Sequence, residues 1–147
     1  MKPIRIARWL SSALAVAALA AAGGAGAQKT QLTVYTALET DQLKAYQEGF
    51  NKVYPDIELT WVRDSTGIIT AKILAEKAAP KGDVIMGVAA TSMGIFANEG
   101  MLQGYAPPGV DRIPAQYKDS QNPPRWVGMD VWGATICFNT VEAQKRG

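Results

Sequence analysis

The stretch WVRDSTGIITAKIL, residues 61–74, sets Ser65, Thr66 and Gly67 between a strand-like run and a helix-like run, directly after the charged pair Arg63 and Asp64. Two hydroxyl donors and a glycine at the start of a helix suit an anion. A helix N-terminus presents unpaired backbone N–H groups and roughly half a positive charge, so a phosphate, phosphonate or carboxylate can dock there without a lysine. Ser and Thr in that place are also ordinary N-caps, worth about 1 kcal/mol each, and the spacing leaves both readings open. Two further turns share this character, TALETD at 36–41 and AATS at 89–92.

Glu39 and Asp64 stand apart in this setting, because a carboxylate beside an anion repels it unless the ligand also carries a cation. A zwitterion reconciles the two. Their structural alternatives are a first-turn helix-dipole residue for Glu39 and an ion pair with Arg63 for Asp64. Among the aromatic residues that can wall a pocket or fill a core, Trp132 is the one most suited to face a cleft, since Gly133 follows it where the chain changes character.

Other chemistries find less support. The chain has neither the GxxxxGK[ST] phosphate loop nor a GxGxxG after its first strand-like run. With no histidine and one cysteine a zinc site is not expected, and no cofactor is called for. Cys137 lies in the apolar run ATICFN and reads as a buried core thiol, since a nucleophilic cysteine wants a histidine base. A phosphate-ester hydrolase would have only the isolated Asp83 and Asp130 to work with.

The elements that must position these turns follow from periodicity. QLTVYT gives a strand from about Leu32 to Tyr35. Leu43, Tyr46, Phe50 and Tyr54 recur at helical spacing, with Thr36 or Thr40 as cap and Pro55 beyond the end. DIELTWV alternates as a second strand. The second helix follows with Ile68, Ile69, Ile73 and Leu74 inward and a run to Ala79; a third strand covers Val84 to Val88 and a short helix Ser92 to Asn98. The order βαβαβα implies a parallel sheet, with its strand-to-helix turns at one end. Gly104 to Pro124 is a proline-rich surface connection, and RWVGMDVWGATICFNT reads as extended structure.

The ends bound the setting. Lys2, Arg5 and Arg8, an apolar run from Trp9 to Ala22, and Ala25-Gly26-Ala27 form the three parts of a cleavable signal peptide over residues 1–27. Its removal takes three of the 15 Lys+Arg and none of the 13 Asp+Glu, so the formal charge moves from +2 to −1. A nearly neutral chain without a basic block gives no footing for nucleic acid. The expected location is the periplasm. The chain stops at NTVEAQKRG, where a helix is starting, so a fragment of a longer protein is expected.

Together, the leader, LTVYTALETDQLKAYQEGFNKVYPDIELTWVRDSTGIITAKILAEK, GDVIMGVAATSMGIFANEGMLQGYAPPG and WVGMDVWGATICFNT resemble the periplasmic substrate-binding proteins of ABC importers, in the branch that includes ferric-ion binders. VYTALE and VRDSTG look most like the 2-aminoethylphosphonate-binding type. The resemblance implies a Venus-flytrap α/β fold of two lobes with a parallel-rich sheet, a first lobe over 28–129, and a hinge crossing and start of a second lobe over 130–147, that lobe being largely missing. It implies ligand contacts from Thr36, Ala37, Leu38 and Glu39, from Ser65, Thr66 and Gly67, and from Ala90 and Thr91, beside the Asp64 and Trp132 noted above. It also implies a monomeric receptor, not an enzyme, that delivers its ligand to a membrane permease. Ferric ion, or a small anion of another kind, is the alternative cargo.

Overall fold

The computed structural model describes residues 29–146; the expected signal peptide lies outside them. In chain order the elements are β1 (Thr30–Thr36), α1 (Thr40–Val53), β2 (Ile57–Arg63), α2 (Thr66–Ala75), β3 (Val84–Met86) and α3 (Ala90–Asn98), then two short 3-10 turns and a last helix, α4 (Thr140–Arg146). The strands lie in the order β2-β1-β3, and both pairings are parallel. The βαβαβα reading of the sequence is therefore the observed architecture.

Strand alternation sorts the side chains onto two faces. Tyr35, with its register partners Val62 and Ile85, faces α2 and α3, where Tyr35, Ile69, Ile73 and Phe96 form the buried core. Val34 and its partner Trp61 point the other way, and the Trp61 indole N–H donates to Gln47 Oε1 of α1 at 2.6 Å. The central strand is thus covered on both sides, which suits its run of β-branched and aromatic residues.

Several boundaries differ from the sequence reading, each for a local reason. β3 stops at Met86 instead of Val88 because Gly87 takes a φ of +62°, which breaks the extended backbone. Glu39 rather than Thr36 or Thr40 is the N-cap of α1, and its N–H donates to Gln42 Oε1 at 3.1 Å. α2 ends at Ala75: the Glu76 carboxylate accepts the Tyr35 hydroxyl at 2.6 Å, and the chain turns there. Ile68 is exposed, so the inner face of α2 is Ile69 and Ile73, with Leu74 partly covered. The Tyr35 phenol, out of water and facing Glu76, is pushed up to about 12.

The proline-rich stretch folds back on itself. Lys118 and Val127 form an antiparallel bridge, and Asp119 is clasped by Arg125 through Nε at 2.6 Å and Nη2 at 3.1 Å. Arg125 Nη1 also donates to Ala97 O at the end of α3, at 2.9 Å, which ties the loop to the lobe. These hydrogen bonds from Arg125, more than its charge alone, hold the Asp119 carboxyl down at about 2 against a usual 3.8. A depressed acid stabilises the fold fully above its unfolded value and loses that contribution as pH falls through the folded one. Thermal melts between pH 4 and 2 are expected to show a falling midpoint that Asp119→Asn flattens; equal slopes in both proteins would remove the clasp from the account.

Beyond Met129 the expected extended structure does not become a strand. Val131, Ile136 and Phe138 are exposed and Cys137 is exposed rather than buried, because residues 129–139 find no strand partner among the described residues.

Candidate functional site

The parallel register builds the site. Thr36, the last residue of β1, sits between Arg63 of β2 and Met86 of β3, so all three strand-to-helix turns leave the sheet at one edge. The same register brings Arg63 to the first turn. Its Nε donates to Leu38 O at 3.1 Å and its Nη2 to Glu39 Oε2 at 2.6 Å, tying the first turn to the second. Asp64 does not pair with Arg63; its Oδ1 accepts the Ser65 N–H at 2.7 Å.

Ser65 caps α2 by backbone geometry, φ −61° and ψ 154°, while its hydroxyl makes no capping hydrogen bond. The first intrahelical bond runs from Ile69 N–H to Ser65 O at 2.9 Å, so the N–H groups of Thr66, Gly67 and Ile68 have no acceptor within the helix. A hydroxyl and a fan of amides therefore stand together at this helix start.

Over this edge lies an open cavity of about 550 Å³, within the range of roughly 300–1,000 Å³ common for small-molecule sites. One wall is Ala37, Leu38, Glu39 and Gln42. A second is Arg63, Asp64, Ser65 and Thr66. Gly87, Val88, Asp130 and Trp132 close the third side. The charged lining is one guanidinium against the carboxylates of Glu39, Asp64 and Asp130, so the side chains are net negative while the helix start is polarised positive.

Seven of the residues expected from the sequence meet in this groove: Ala37, Leu38, Glu39, Asp64, Ser65, Thr66 and Trp132. Thr36 does not reach it. It is fully buried and its hydroxyl accepts the Leu38 N–H at 3.1 Å, so it shapes the first turn from beneath. Gly67 lies one step into α2, exposed and outside the lining. Ala90 opens onto an adjoining cavity of about 410 Å³ that shares Gly87, Val88, Asp130 and Trp132 with the first, and Thr91 lines neither. The third turn thus contributes its glycine end, not AATS.

Sequence reasoning missed Arg63 as a wall, along with Gln42, Gly87, Val88 and Asp130. For Gly87 a signal existed: a glycine directly after an apolar strand. A Cβ there would collide with the Leu38 side chain, so only glycine lets the third turn approach the first this closely.

No protein-family model matches the chain. Over 112 residues it is 31% identical to a probable ABC transporter periplasmic-binding protein, y4fP, of Sinorhizobium fredii, a match covering 76% of this chain and 31% of that protein. Among solved structures it is similar to the periplasmic binding protein P5PA, at 28% identity and a TM-score of 0.55 over 60% of this chain and 28% of that one. The described residues form one lobe of the periplasmic-binding-protein fold. A second such structure, the periplasmic binding protein AfuA from Actinobacillus pleuropneumoniae with exogenous fructose-6-phosphate bound, gives 27% identity and a TM-score of 0.56 over 68% of this chain and 30% of that one. The chain spans about a third of the length of the curated relatives it matches, 31% and 34%.

Proposed function

We propose that the chain supplies the first lobe of a periplasmic solute-binding protein that captures a small zwitterionic organophosphonate, 2-aminoethylphosphonate, for an ABC importer. The single observation that carries this reading is the groove's divided polarity: unengaged donors at the α2 start beside side chains that are net negative. A ligand that is only an anion meets repulsion from Glu39, Asp64 and Asp130. One that carries an ammonium as well satisfies both halves. The sugar phosphate held by AfuA supports an anionic head group on this fold.

In this reading residues 130–147 begin the crossing to a second lobe, and closure about that hinge shifts the population toward a form that docks on the permease. The receptor is monomeric, and residues 1–27 direct it to the periplasm. Catalysis has no place in it. Asp83, a candidate for a hydrolase, precedes β3 and its carboxylate accepts the Thr33 N–H at 2.8 Å, away from the groove.

Calorimetric titration tests the reading. Each charge-assisted hydrogen bond contributes roughly 1.5–3 kcal/mol, so the double substitution Ser65→Ala, Thr66→Ala is expected to weaken 2-aminoethylphosphonate binding about 100-fold or more. Unchanged affinity would remove these hydroxyls from the ligand site. Tight ferric-ion binding by the wild type, with no heat from the phosphonate, would move the cargo to the metal.

A further inference from the structure

We propose that Asp130 and Trp132 form the subsite for the ligand's cationic group. The inference rests on the zwitterion reading above and identifies which side chains would take the positive end.

Three carboxylates line the groove, and two are already engaged. Glu39 holds the Arg63 guanidinium at 2.6 Å, and Asp64 accepts the Ser65 N–H at 2.7 Å. Each of these two keeps one oxygen on a donor of the protein, so a ligand cation would have to share the group with Arg63 or with the Ser65 N–H. Asp130 makes no ion pair and no hydrogen bond with the described residues. It is the carboxylate free to receive a cation without loss elsewhere.

Trp132 strengthens the assignment. It lines the same cavity as Asp130 and is 69% exposed, so its ring is not part of the core. An indole face attracts an ammonium within about 6 Å of its centroid, and more strongly once water is excluded. A carboxylate and an indole lining the same cavity as the α2 start and Ser65 suit a small molecule with an anionic head and an amine. The pair also sits on the crossing segment, so ligand binding there would draw that segment toward the lobe.

The test uses the full chain and two probes with the same phosphonate head, 2-aminoethylphosphonate and ethylphosphonate, which lacks the amine. Wild type is expected to prefer the amine-bearing probe. Asp130→Asn is expected to weaken that probe by about 10-fold or more, the size of one charge-assisted hydrogen bond, while ethylphosphonate binds as well or better. Trp132→Ala is expected to lower the same preference, and Trp132→Phe to keep much of it. Because Asp130 is exposed and has no partner among the described residues, the melting temperature of Asp130→Asn should equal that of wild type. Asp130→Asn with an unchanged ratio between the probes, or with both weakened equally, would overturn this subsite alone. Wild type that binds neither phosphonate would overturn the organophosphonate reading and the subsite with it.

Discussion

Replacing Phe96 by alanine is expected to lower the unfolding free energy by about 3–5 kcal/mol. Phe96 is fully buried in α3, where it meets Tyr35 of the central strand and Ile69 and Ile73 of α2. Its ring fills the space between two helices and one face of the sheet. A small domain holds only about 5–15 kcal/mol in total, so the loss would be a large share of it. Urea unfolding should show a lower midpoint at similar slope, the mark of lost stability without a changed denatured state. A loss under about 1 kcal/mol would mean that α3 is not anchored through this side chain.

Gly87→Val is expected to cost about 3 kcal/mol, from a positive φ imposed on a β-branched residue and a clash inside the lobe. Here the backbone has φ +62° and the new side chain would meet Leu38, which is itself buried under the first turn. The effect reaches the site as well as the fold. Pushing Leu38 away displaces the carbonyl that Arg63 holds and with it the tie to Glu39. Denaturation and ligand titration should therefore worsen together, whereas a variant that loses stability and binds normally would separate Gly87 from the groove.

Much of the lobe was legible because its signals are local. Strand alternation in QLTVYT and DIELTWV, and the helical recurrence of Leu43 and Phe50 or of Ile69 and Ile73, depend on neighbours a few residues away. The turn WVRDSTG was legible for the same reason, and Ser65 takes the N-cap position of α2, though its hydroxyl makes no capping hydrogen bond. The contacts that complete the site depend on register. Arg63 reaches Glu39 because Thr36 pairs with Arg63 across the sheet, a relation no short window contains. The family resemblance implies a ligand contact at Thr36, yet the close packing of the turn buries it and turns its hydroxyl to Leu38. Cys137 shows the converse: an apolar run predicts burial only when something covers it, and among the described residues nothing does.

The most direct test of the account is an amide-resolved nuclear magnetic resonance titration of the protein with 2-aminoethylphosphonate. Binding at the shared edge of the sheet predicts that the N–H signals of Ser65 and Thr66 move most and saturate together, with smaller shifts at Ala37, Leu38 and the Trp132 indole. Saturable binding that leaves the Ser65 and Thr66 amides in place would contradict it, because the α2 start would then not be where the anion is held.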